Sequence, residues 1–492
     1  MTQANPRGVQ DSDVFIDLRR RRADAAAAAA AGPVRDVEFQ TVNPGRRRTR
    51  RKKPIWFDLN AISLDGVYAF LLVSAMLFVQ QLGAASGVAM AVLPLIYMVL
   101  RRRLAGEILV TRWPLFLVPL FALMSVAWSE APGVSAKYAA EMWLTAAAGI
   151  GLSAARRPTA VLKGACLAFA VYCSASMGLG HSVGVGVGGG GEAFAGLGDG
   201  KNLAADIAST GALISLATLF IATRQKSLLW WLIAAGAVAI EIYLMFLARS
   251  AGAVLALGGG VAALLALGAL SAMSRAVRIG AVTIVLISVG ILVASVRNAG
   301  AALIAFSTQM FDKDPTLTGR TYLWYRAQDL ITEKPLLGHG FYAFWRQGNM
   351  DAEGLWQYAG IAGRAGFNFH NSLVELTVQL GVAGAAVFCL VGLIGLLSLV
   401  RQFLERPTLP VCFWLTYMLY VAIRAPMEAV GYAPFYFSTC LLFAAAGSGL
   451  ERLPRRMRAR QAYVPQRVRL QHFYAATQAH AATVAYARTP AE

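Results

Sequence analysis

The chain has 492 residues, of which 57% are hydrophobic and only 14% charged, with a formal net charge of +19. Soluble domains carry roughly 25% charged residues, and the apolar residues here gather in runs of about twenty, the length that crosses a hydrocarbon core of about 30 Å. An ordinary soluble domain is thereby excluded. The basic residues stand in short clusters between apolar runs instead of on one face, which is a topology signal and excludes nucleic acid as the reason for the charge.

Residues 1–54 are polar, with arginines at 19–22, an alanine tract at 25–31 and a dense basic run from Arg46 to Lys53. They contain no apolar stretch that would serve as a signal-peptide core, and are expected to form a disordered basic cytoplasmic tail able to touch anionic headgroups. Hydropathy then predicts membrane-spanning helices near 62–80, 84–100, 113–128, 138–155, 159–179, 203–222, 228–247, 252–271, 278–296, 375–399, 408–424 and 432–449. Arg101–Arg103, Arg156–Arg157, Arg224 with Lys226, Arg275 with Arg278, Arg401 with Arg406, and the basic tail 451–492 all fall on one side of this arrangement. The positive-inside rule makes that side cytoplasmic and puts both termini there. The expected fold is an all-α, multi-pass membrane domain over residues 55–450, with about twelve spans.

The other side holds the glycine-rich segment 180–202, a short turn with Arg249 and Ser250, and one large loop, 297–374. Within that loop Tyr322, Leu323, Tyr325, Ala327 and Leu330 are spaced for an amphipathic helix. It also holds Thr318-Gly319-Arg320, then Pro335-Leu336-Leu337-Gly338-His339-Gly340-Phe341, then His370-Asn371-Ser372, with Gly381-Val382-Ala383-Gly384 following after a further short interval. A His-Asn pair at the start of a membrane helix puts an imidazole at the lipid–water boundary, where it can act as a general base near neutral pH. Capping the helix is the plainer alternative.

This pattern resembles the O-antigen ligase and O-antigen polymerase superfamily of bacterial cell-surface polysaccharide enzymes, and within it the exopolysaccharide polymerases. The likeness is carried by Gly319-Arg320 before an aromatic helix, by the Pro335–Phe341 turn, and by His370-Asn371 followed by nine residues and Gly381-x-x-Gly384. Lys201-Asn202 and Arg249 extend it. The resemblance implies glycosyl transfer outside the cytoplasm of a bacterial inner membrane, from an undecaprenyl-diphosphate-linked glycan to an acceptor sugar. It implies no metal and no cofactor. The implied partners are that lipid-linked oligosaccharide, membrane lipid, a chain-length regulator and export proteins.

In this frame His370 is the candidate general base. Arg249 and Arg320, with Lys201 and Arg424, are candidates to hold the departing diphosphate through paired donors. His339, Asn371 and Glu375 are candidate substrate contacts. Each has a blander role open to it: Arg249 anchoring a helix end at the headgroups, Arg320 pairing with Asp314 or Glu333, Arg424 pairing with Glu428, and His339 stabilising a turn. Trp345, Trp356 and Phe367 suit sugar stacking or the interfacial belt. The alternative functions are a ligase that moves finished glycan to a lipid or protein acceptor, or a transporter of the lipid-linked glycan. A transporter is expected to show repeated halves, and this chain shows none.

Other signals are weaker. Asp312-Lys313-Asp314 has an Asp-x-Asp form, but in a loop away from nucleotide sugars. The glycine run 184–189 fits G-x-G-x-x-G without a surrounding nucleotide fold and reads as a flexible loop. Cys166, Cys173, Cys389, Cys412 and Cys440 lie inside apolar runs and read as small buried hydrophobes. Glu141 and Glu241 fall within predicted spans, where an ionised carboxylate needs a partner.

Overall fold

The computed structural model describes residues 63–184, 191–294, 320–364 and 366–450. The two terminal tails and residues 295–319, with the Asp312–Asp314 motif, lie outside the described residues. The described chain is mostly helical. Helices α1 (Leu64–Leu77), α2 (Val79–Leu82), α3 (Ala84–Leu100), α4 (Arg102–Arg112) and α5 (Leu117–Met124) are followed by α6 (Pro132–Ser153) and α7 (Pro158–Leu179). Then come α8 (Lys201–Gln225), α9 (Leu228–Leu247), α10 (Ala251–Leu270) and α11 (Arg275–Ala294). The last group is α12 (Arg320–Glu333), α13 (Met350–Tyr358), α14 (Ser372–Glu405), α15 (Leu409–Arg424) and α16 (Phe437–Gly449).

Among the described residues, six segments are long and apolar enough to cross a membrane: 106–127, α7, α8, α9, α10 and α14. Large apolar side chains such as Leu95, Val99, Ile284 and Leu397 point outward, as in helices solvated by lipid. Proline opens α6 and α7 at the first turn, where its missing N–H costs nothing. Thr408 caps α15 ahead of Pro410 through a bond from the Val411 amide.

Helix α8 is the buried centre. Its small residues Ala204, Ala205, Ala208, Ser209, Gly211 and Ala212 let neighbours approach closely. Gly211 faces the Glu241 carboxylate, which a Cβ there would reach at 2.7 Å. Glu241 is fully buried, and neither of its oxygens has a hydrogen-bond partner among the described residues. Glu141 is half-buried and lies 4.0 Å from Lys137, one turn earlier on α6.

At the end of the bundle that carries the basic clusters, polar side chains cap helix C-termini. Arg112 donates to the carbonyls of Gly447 and Ser153 at 3.1 and 3.2 Å. Arg278 reaches the Leu404 carbonyl at 3.0 Å, and Gln402 the last carbonyls of α16. These are the acceptors a helix leaves unpaired at its negative end.

The opposite end departs from the sequence expectation in one respect. Residues flanking the glycine run form an antiparallel hairpin, β1 (His181–Gly184) with β2 (Glu192–Gly196), instead of a plain loop. It is anchored because Ala193 and Ala195 are buried; residues 185–190 lie outside the described set.

Helix α14 is kinked at Gly381, where φ is 65° and ψ −176°. Only glycine adopts this conformation without strain. The Pro335–Gly340 turn docks into the kink: the carbonyls of Pro335 and Leu336 accept from Val382 and Ala383 at 2.8 and 3.2 Å. In return His339 and Gly340 donate to the Val378 and Gln379 carbonyls at 3.0 and 2.8 Å. A Cβ on Gly338 would lie 2.6 Å from the Gln379 backbone. The two glycine motifs of the sequence are therefore the halves of one backbone joint.

Candidate active site

The joint fixes the start of α14, and that is where His370 sits. Asn371 is the N-cap, its carbonyl oxygen accepting from Leu373 and Val374 at 3.0 and 3.2 Å. The amide nitrogen of the same side chain donates to the Pro426 carbonyl at 3.4 Å. His370 is held in the left-handed region, φ 50°, a conformation that costs a β-carbon residue about 1–2 kcal/mol. Its neighbours supply that cost. The His370 amide donates to Asn368 Oδ1 at 2.8 Å and the Phe369 amide to Glu375 Oε2 at 2.9 Å.

Glu375 is completely buried, and its other oxygen accepts from Trp345 Nε1 at 2.9 Å and Gln379 Nε2 at 2.8 Å. It grips the backbone ahead of the imidazole and is closed off from solvent. His339 is likewise buried, with Nδ1 2.6 Å from Glu130 Oε1 and Nε2 3.2 Å from the Leu330 carbonyl. Lys334 also binds Glu130. Burial would raise the Glu130 carboxyl, but Lys334 and His339 outweigh it and hold it below the usual range. Of the three candidate substrate contacts, His339 and Glu375 are buried and bonded within the protein, and the Asn371 amide bonds through both its oxygen and its nitrogen.

The His370 ring faces a residue the sequence reading paired otherwise. Its Nδ1 lies 2.6 Å from Glu428 Oε1. The other oxygen of Glu428 lies 3.6 Å from Arg320 Nη2, and Arg320 Nη1 donates to the Met427 carbonyl. Arg320 therefore pairs across to the loop after α15, and not with Glu333; Asp314 lies outside the described residues. Burial would push the Glu428 carboxyl up. His370 and the guanidiniums of Arg320 and Arg424 reverse this and hold it at about 2.

An ionised Glu428 can only accept, so Nδ1 of a neutral His370 carries the proton and Nε2 carries the lone pair. Ser372 fastens the Glu428 loop by donating to the carbonyls of Glu428 and Val430 and accepting from the Val430 amide at 2.9 Å. The result is an oriented imidazole with an arginine on the same carboxylate.

Arg424 lies one layer deeper. It is 1% exposed, and its Nε is 3.5 Å from Asp206 Oδ1 on α8. Tyr420 and Tyr436 donate to Asp206 at 3.2 and 2.8 Å. Arg424 thus pairs with Asp206, while Glu428 pairs with His370 and Arg320. Asp206 carried no motif and was missed; the available signal was an acid one and a half turns into an otherwise small-residue helix.

Arg249 is exposed, with φ 50°, and its guanidinium lies beside Gly191 at the hairpin. Three residues on, Gly252 packs against Arg424 Nη1 and Met427, so the Arg249 turn adjoins the Glu428 loop. Lys201 opens α8, about 7 Å along the axis from Asp206. Among the described residues no group of three or more His, Cys, Asp or Glu side chains is placed to hold a metal ion.

The fold and site together define a mostly helical membrane protein with an imidazole–carboxylate–guanidinium cluster at one end of the bundle. Residues 236–389 match the family model described as O-antigen ligase. The chain is also 31% identical, over 271 residues, to the exopolysaccharide production protein ExoQ of Rhizobium meliloti (strain 1021), covering 54% of this chain and 60% of that protein. The chain spans about three-fifths of that relative's length, and its likeness to the O-antigen ligase family lies within residues 236–389. The family match contains Arg249, Arg320, His339 and His370 and ends before Arg424 and Glu428.

Proposed function

We propose that the protein transfers glycan from an undecaprenyl-diphosphate carrier to an acceptor sugar at the periplasmic face of a bacterial inner membrane, lengthening an exopolysaccharide or O-antigen. In this reading twelve helices span the bilayer, 297–374 is the periplasmic loop and both termini are cytoplasmic. The observation that carries it is the 2.6 Å contact between His370 Nδ1 and Glu428, which leaves Nε2 as the free base.

Nε2 takes the proton from the acceptor hydroxyl as that oxygen attacks the anomeric carbon. The bond from this carbon to the diphosphate oxygen breaks as the new one forms, from the opposite face, so the centre inverts. The diphosphate leaves with its electron pair and needs cations. Arg320 supplies one: its 3.6 Å approach to Glu428 is looser than a paired fork, so its donors can turn to phosphate. Arg249 and Lys201 supply the rim. Arg424, compensated by Asp206, positions the loop from below.

The test is purified protein in lipid nanodiscs with lipid-linked repeat units. The expected result is longer glycan and released undecaprenyl diphosphate. Replacing His370→Ala should abolish both while the protein remains in the membrane. Full activity in that variant would defeat the assignment.

A further inference from the structure

Leu323, Ala327 and Leu330 of α12 and Ala352, Leu355 and Trp356 of α13 are buried in one apolar cluster. Flanking that buried seam is a second, outward face built from both helices. Tyr322 of α12 and Tyr358 of α13 lie with ring centroids 4.3 Å apart, and both are over two-fifths exposed. One turn along, Arg326 binds Asp329 at 2.7 Å and Asp351 of α13 at 3.1 Å, all three open to solvent. Residues 322, 326 and 329 share one side of α12, and 351 and 358 share one side of α13. Tyr325, 63% exposed, stands at its edge.

The helix that carries half of this face also reaches the candidate active site with other side chains. Arg320 begins α12 and bonds the Met427 carbonyl, and Trp324 Nε1 donates to the Phe369 carbonyl at 2.8 Å. Tyr322 lies about 3 Å along the axis from Arg320 and projects from another side of the same helix. Phe367 is half-exposed with its ring 5.7 Å from that of His370.

We infer that the Tyr322–Tyr358 face is a glycan-binding surface that holds the acceptor chain several sugars away from the bond being made. The inference rests on the transfer reading above. Aromatic rings with free hydroxyls match the mixed apolar and polar faces of a pyranose. The paired Arg326, Asp329 and Asp351 offer fixed donors and acceptors for sugar hydroxyls, the combination that orients ligands elsewhere. A lipid-facing belt would place its tyrosines beside apolar side chains; here the same face carries three charged ones.

The experiment uses the full chain in nanodiscs and, as probe, fragments of two to four repeat units cut from the polysaccharide of cells expressing it. Affinity is followed by titration calorimetry. Tyr322→Ala with Tyr358→Ala should weaken fragment binding about tenfold and raise the acceptor KM similarly, with the KM of the lipid-linked donor unmoved. Tyr322→Phe with Tyr358→Phe keeps the rings and the packing and should bind within about threefold of the parent.

Unchanged fragment affinity in the alanine pair, with transfer intact, would overturn the surface and leave the transfer reading standing. Fragment binding lost in that pair, in a protein whose parent binds but never lengthens glycan, would support the surface and sink the transfer reading. Protection of fragment affinity in the alanine pair together with quenching of the region by brominated lipid would mark the face as lipid-seated and overturn the inference.

Discussion

Replacing Glu428→Gln tests the catalytic geometry most sharply, because the two sides of the carboxylate face different chemistry. Oε2 faces Arg320, which can only donate, and Oε1 faces His370 Nδ1, which can do either. A glutamine amide will therefore turn its oxygen to the arginine and its NH2 to the imidazole. Nδ1 is then forced to accept, the proton moves to Nε2, and the proposed mechanism loses its base at that atom. Holding a catalytic histidine in the wrong tautomer costs about four orders of magnitude in proteases that use one. The same logic gives a fall in kcat of about 10³–10⁴ here.

Glu428→Ala removes the charge-assisted bond, worth about 1.5–3 kcal/mol, but leaves both tautomers open. Its loss should be smaller, about 10–150-fold. The assay is single-turnover transfer from lipid-linked repeat units in nanodiscs, read as released undecaprenyl diphosphate. The ordering is the test. A glutamine variant as active as the parent, or clearly more active than the alanine variant, would refute the tautomer argument.

The remaining predictions concern stability. Gly338→Ala should destabilise the protein by about 2–4 kcal/mol, since a positive φ and a backbone overlap at the Gln379 carbonyl both act. Gly354→Ala, where a Cβ meets nothing within 4 Å, should leave melting unchanged or raise it. Arg424→Met should cost about 3–5 kcal/mol by stranding the buried Asp206, and adding Asp206→Asn should recover most of it; thermal unfolding in detergent measures both. Glu428 sits at about 2 against an ordinary 4.5, so its contribution is complete above about pH 4.5 and is lost as pH falls towards 2. That is roughly 3 kcal/mol, and Glu428→Gln should flatten this part of the pH–stability curve. Glu130, also lowered, adds in the same direction.

Periodicity and charge are local properties, so the sequence alone was enough to identify the apolar helices, the basic end and the amphipathic helix carrying Leu323, Ala327 and Leu330. His370, Arg320 and the glycine motifs were legible for the same reason: an unusual residue type at a fixed spacing stands out in an apolar chain. What those glycines do was not. Gly338 and Gly381 are 43 residues apart, and only packing shows that one turn fills the kink of the other helix.

The partners of charged groups were likewise decided in three dimensions. Arg424 and Glu428 are close in sequence and seemed natural partners. In the fold one turns inward to Asp206 on α8 and the other outward to His370 and Arg320. An ion pair is chosen by which buried charge has no other way to be compensated, and that depends on which helices touch. The chain encodes the chemical groups one by one; their pairing, and so the tautomer of His370, exists only once the helices have packed.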